Sequence, residues 1–151
     1  MNLIIGIGNS LRGDDGVGPW VVDAVPARPG LETMTVHQLT PELVETMGRA
    51  ERVLFVDAAL HTSELDLGRV LPAPHRGVGH ACTPAALLGW CELLEVSVPE
   101  TWLLAIPAAS FELGESLSER TRACVPEALI RIEAWLDQVP EPVLVMNEEE
   151  A

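Results

Sequence analysis

The sequence predicts a three-layer α/β/α domain with a twisted, mostly parallel five-stranded sheet between helices. Three observations predict it. Apolar runs of strand length alternate along the chain with segments of helical period, the pattern of strands joined by helical crossovers. Several of those runs are apolar without interruption, as in strands buried on both faces. Cap signals stand where helices should open: Thr40-Pro41, Thr83-Pro84 and Ser118.

Leu3-Ile4-Ile5-Gly6-Ile7 is a short apolar run ending in glycine-rich sequence and reads as a buried strand. A helix over 17–25 follows. Pro19 sits in its first turn, where a missing N–H costs nothing, and Val17, Val21, Ala24 and Val25 share one face. Thr33 to His37 reads as the second strand. Thr40 caps, and Pro41 opens, a helix to about Gly48. Arg52 to Asp57 is the third strand, apolar enough to be central. Gly68 to Leu71 reads as a short edge strand, and 72–79 as a loop rich in Pro and Gly. Thr83-Pro84 opens a helix carrying Leu87, Leu88, Cys91, Leu93 and Leu94. Thr101 to Ile106 is the last strand, stopped by Pro107. Ser118 caps a long final helix with a stripe of Val125, Leu129, Ile132, Leu136 and Val139, kinked early by Pro126.

Composition bounds the function. At 151 residues, 48% hydrophobic and 21% charged, the chain suits one domain with a real core, expected over 1–146, with 147–151 an acidic, disordered tail. A net charge of −14 repels phosphate backbones and excludes a general nucleic-acid binder. No apolar run approaches the ~20 residues that span a bilayer. Met1-Asn2-Leu3-Ile4-Ile5 has no basic segment and does not read as a signal peptide. Cys82, Cys91 and Cys124 form no C-x-x-C pair, which argues for a reducing cytoplasm. Cys91 and Cys124 read as core thiols; Cys82, two residues from His80, is a conceivable ligand.

In parallel sheets ligands bind at the carboxyl ends of strands, where strand order reverses. If the order begins 2-1-3, that crevice lies between the first and third strands. The loop after Ile7 and Asp57 then flank it. The loop, Gly6-Ile7-Gly8-Asn9-Ser10-Leu11-Arg12-Gly13-Asp14-Asp15-Gly16-Val17-Gly18, begins like a dinucleotide fingerprint. Leu11 replaces the third glycine, and no acidic residue ends the second strand, so the close helix–strand approach and the ribose partner are both missing. Asp14 and Asp15 would repel a phosphate and attract a cation. Capping of the next helix explains one Asp but not two among so many glycines. Asp57 closes an apolar strand at the same rim, though an Asp also forms turns there. His80, in Gly77-Val78-Gly79-His80, can fold over that rim, or it is a surface histidine. His37 is its rival; His61 and His75 read as exposed. Two carboxylates and an imidazole suit Zn, Ni, Fe or Mn.

The long first motif resembles the N-terminal signature of the nickel–iron hydrogenase maturation proteases, G-x-G-N-x-L-x-x-D-[DE]-x-x-G. The resemblance continues through Val56-Asp57-Ala58, His80, Leu87-Leu88, Ile106-Pro107, Gly114 and Leu117-Ser118, nearly the whole chain in order. It implies an endopeptidase that removes a C-terminal extension from the hydrogenase large-subunit precursor after nickel insertion. It also implies a twisted sheet flanked by helices. By position, the metal-contacting residues are Asp15, Asp57 and His80, and the catalytic set is these three with Asp14. Asp14 is then either a general base or a hydrogen-bond acceptor behind the site. His37-Gln38-Leu39-Thr40-Pro41-Glu42-Leu43 and Phe111-Glu112-Leu113-Gly114-Glu115 resemble the proteases that serve bidirectional NAD-linked hydrogenases.

The expected partner is the nickel-loaded precursor, with the nickel delivered by the substrate and no tightly bound organic cofactor. A cytoplasmic monomer is expected, bound to neither nucleic acid nor membrane. H-E-x-x-H and G-x-S-x-G are absent from the sequence. Two other readings stay open: a non-catalytic α/β module for a metal or nucleotide, and a self-sufficient metallopeptidase of broad range.

Overall fold

The computed structural model describes residues 1–74 and 82–138. β1 (Asn2–Ile7) buries Leu3, Ile5 and Ile7 on one side and Ile4 on the other. A strand apolar on both sides needs a layer over each face. Helices supply both layers. Over one face, Val17, Val21 and Val22 of α1 (Val17–Asp23) and Ala128, Ile132, Trp135 and Leu136 of the final helix meet Ile4, Leu54 and Leu104. Over the other, Leu43, Val44 and Met47 of α2 (Leu43–Met47) and Leu87, Leu88 and Cys91 of α3 (Pro84–Leu93) meet Leu3, Ile5, Val53 and Phe55. The final helix is α4 (Glu119–Asp137), continuous through Pro126.

Among the described residues, β1, β2 (Leu31–Val36), β3 (Arg52–Ala59), β4 (Asp66–Val70) and β5 (Glu100–Pro107) form one five-stranded sheet in the order β2-β1-β3-β5-β4. Every neighbouring pair is parallel except β4, which runs antiparallel to β5 at the edge. The order 2-1-3 holds. The chain leaves β1 for β2 on one side and returns as β3 on the other, so a crevice opens at the carboxyl ends of β1 and β3.

Two of the three cap signals hold. The Thr83 hydroxyl accepts from the Ala86 N–H at 3.1 Å, and the Ser118 hydroxyl from the Thr121 N–H at 3.3 Å. Thr40 is different. Its carbonyl accepts from Leu43 N–H and that of Pro41 from Val44 N–H, a tight turn, and α2 starts at Leu43 with no side-chain cap. The α4 stripe includes Val125, Leu129, Ile132 and Leu136 as expected, with Ala128 and Trp135 added; Val139 lies outside the described residues. So do part of the 72–79 loop, His75 and the 147–151 tail. Among the described residues no helix is long and apolar enough to cross a membrane.

The amino-terminal rim of the sheet is pinned by Arg52, which is 2% exposed at the start of β3. Its guanidinium donates to Glu100 at 3.1 Å and to the Trp135 carbonyl at 2.8 Å, and lies 4.0 Å from the Trp135 ring centroid. One side chain thereby joins β3, β5 and the end of α4.

Candidate functional site

Gly6 pairs with Val56, so the loop after β1 and the Asp57 end of β3 leave the sheet side by side. The loop is held close to the strands by backbone packing. Gly8 has φ +145°, and a side chain there would collide with the Asp15 carbonyl. A Cβ on Gly18 would lie 2.6 Å from both the Ile7 and Val56 carbonyl oxygens. Helix α1 therefore sits directly over the gap between β1 and β3. The close helix–strand approach, expected to be missing because Leu11 replaces a fingerprint glycine, is made instead by Gly18.

Asp14 and Asp15 occupy a short 3-10 turn, Gly13–Gly16, and neither caps α1, whose N-cap is Gly16. They serve opposite sides of the loop. Asp15 is half-buried, and its Oδ2 accepts from the Asn9 N–H at 2.8 Å. Asp15 lies near enough to Asp57 for its charge to oppose ionisation there. Asp57 is half-buried, with Oδ1 accepting from the Ala58 N–H at 2.9 Å. Burial, with Asp15 adding to it, pushes the Asp57 carboxyl up to about 6, against the pull of that hydrogen bond. Two carboxylates from separate segments thus lie close together at the notch between β1 and β3 on the carboxyl rim. This is an arrangement that a cation would relieve.

Asp14 is buried at 1% exposure and turned towards the chain after β5. It accepts from the N–H groups of Ala109 (2.7 Å), Ser110 (3.2 Å) and Ser118 (2.6 Å), and from the Ser118 hydroxyl (2.8 Å). Burial alone would raise its pKa. The Ser118 and Ala109 N–H groups and the Ser118 hydroxyl outweigh burial and hold it at about 2. A buried carboxylate occupied by four donors is held ionised and ties the first loop to the chain after β5. The donors Ser110 and Ser118 are the residues that sequence reading missed in this role. In the sequence Ser118 signalled a helix cap and a point of the family resemblance, but not this contact.

His80 lies outside the described residues. Its rival His37 is exposed just past β2 and lines, with Gly8, Ser10, Gly16, Trp20 and Asp23, a cleft of about 260 Å3 on the β2 side of the loop. His61 is exposed, as expected. Cys82 is half-buried, and burial together with the Glu42 charge pushes its thiol up, away from the thiolate a metal needs. Among the described residues no three His, Cys, Asp or Glu side chains converge to hold a metal ion.

No family model matches the sequence, and no curated protein matches it. Solved structures do match. The hydrogenase maturating endopeptidase HybD from E. coli superposes with a TM-score of 0.72 at 18% identity, over 89% of this chain and 91% of that one. The [NiFe] hydrogenase maturation protease HycI from Thermococcus kodakarensis KOD1 gives 0.71 at 21% identity, over 91% and 92%. The hydrogenase 2 maturation peptidase from Thaumarchaeota archaeon SCGC_AB-539-E09 gives 0.66 at 22% identity, over 90% and 97%. Across nearly its full length, the chain has the fold of the hydrogenase maturation endopeptidases.

Proposed function

We propose that the chain is a nickel–iron hydrogenase maturation protease, an endopeptidase that removes the C-terminal extension of the large-subunit precursor once nickel is in place. One observation carries this reading above the others. Asp15 and Asp57, from separate segments of the chain and each half-buried, lie close together at the rim where the strand order reverses. The shared fold and the first motif support the same reading.

In this reading Asp15, Asp57 and His80 are the contacts for nickel carried in by the precursor. An oxygen and nitrogen donor set of this kind fits a borderline divalent metal. Nickel, when bound with its substrate, supplies positive charge beside the scissile bond. The chain's own residues bind and orient: Asn9 N–H fixes the Asp15 carboxylate, Ala58 N–H fixes that of Asp57, and Gly8 brings backbone up to the notch. Asp14 holds the loops in register without moving a proton.

The test mixes the protein with nickel-loaded and nickel-free precursors and reads the C-terminal mass. The expected outcome is loss of the extension from the loaded form only. A bidirectional NAD-linked hydrogenase supplies the first precursor to try, given the resemblance at 37–43 and 111–115. Asp15→Asn and His80→Ala should keep the far-ultraviolet circular dichroism of the parent and lower processing by about a hundredfold or more. Normal processing by both variants, or none by the parent on loaded precursor, overturns the reading.

A further inference from the structure

The loop on the far side of Asp14 is built as firmly as the notch. Gly13 N–H donates to the Gly114 carbonyl at 2.7 Å, and Gly114 N–H to the Leu11 carbonyl at 2.9 Å. This short bridge pairs Arg12 with Gly114. Gly114 has φ +149° and Gly13 φ +56°, conformations that favour glycine. With the Asp14 hydrogen bonds, the bridge locks 110–118 onto the first loop.

That fixed frame displays apolar side chains to solvent. Leu113 is 82% exposed and Leu11 54%, on the two strands of the bridge. Between the loops opens a cleft of about 290 Å3 whose rim includes Glu112, Leu113, Glu115 and Ser116. Glu112 and Glu115 are exposed and bracket Leu113. The Asp14 carboxylate at the floor is already occupied by its donors, so the charge on offer is that of the two glutamates. Because Asp15 and Asp14 are consecutive and point to opposite sides, this cleft lies one loop's thickness from the notch. Contacts on a pre-ordered frame cost little ordering entropy, which makes a loop of this kind an efficient docking element.

Resting on the protease reading, we infer that this cleft docks the precursor polypeptide at a second point, away from its cleaved end. The segment it fits carries an aliphatic side chain, to lie against Leu113 with Leu11 on the adjoining loop, beside a lysine or arginine that meets Glu112 and Glu115. The strong overall negative charge, −14, favours the same class of partner.

The experiment measures initial processing rates against precursor concentration for the parent, Leu113→Ser, Leu11→Ser/Leu113→Ser and Glu112→Lys/Glu115→Lys. All these side chains are exposed, and circular dichroism checks that each variant folds. KM is expected to rise about tenfold in the double variants, with kcat within about twofold of the parent. Added salt should raise KM more steeply for the parent than for the lysine variant. KM values unchanged in all variants, with the parent processing normally, overturn the docking site and leave the protease reading standing. A parent that cleaves no precursor overturns the protease reading itself.

Discussion

Asp14 and Asp57 flank one loop and ionise on different terms, which makes their effects on stability opposite in sign. Asp14 is held at about 2, below the ordinary 3.8, so folding favours its charged form. Its contribution is present above about pH 4 and is lost as pH falls through about 2. Asp14→Asn, which sets an amide N–H among N–H donors, should lower unfolding free energy by roughly 2 kcal/mol near neutral pH, with the gap closing towards about pH 2. Asp57 is raised to about 6, so folding favours its neutral form. Ionising it costs nothing below about pH 4, and the cost grows to its full size as pH rises through about 6. Asp57→Asn keeps an acceptor for the Ala58 N–H. It should stabilise the isolated protein by ~1–2 kcal/mol near pH 7, with no gain near pH 4, while it abolishes processing. Urea titrations at the two pH values read both variants. A residue whose removal improves stability and removes activity is held for function.

At the level of elements, the unit that makes the site is β1, its loop and α1. Gly18 decides how near the helix comes, because a Cβ there meets two strand carbonyls at 2.6 Å. Gly18→Ala should therefore cost about 1–3 kcal/mol in urea unfolding and lower processing as well, since α1 frames the notch. In the folded chain Gly18 spends its small size on packing against β1 and β3. The strands were legible because burial on both faces writes an unbroken apolar run, as in Leu3 to Ile5 or Val53 to Val56. Thr83 and Ser118 were legible because their caps are local, three residues long. Thr40 misled because a tight turn uses the same residue types as a cap. The Asp14 contacts were not legible at all, since their donors lie 95, 96 and 104 residues further along the chain. Asp15 and Asp57 came out together because the strand order 2-1-3, on which the reading was conditional, is the one observed.

Across the whole molecule, the two rims of the sheet divide the labour. The carboxyl rim carries the acids, and the amino rim carries Arg52, buried between Glu100 and Trp135. Arg52→Leu would strand the Trp135 carbonyl and leave the Glu100 carboxylate without its ion pair. It should destabilise by about 3 kcal/mol in thermal or urea unfolding. At temperatures where the variant stays folded, processing should match that of the parent, because the substitution lies at the rim opposite Asp57. The carboxyl rim offers no such separation of stability from function. Ser118 both opens α4 and grips Asp14, so one joint serves the longest helix and the acid-bearing loop. Warming that frays the first turn of α4 also lets go of that loop, and activity would fade while the sheet is still whole.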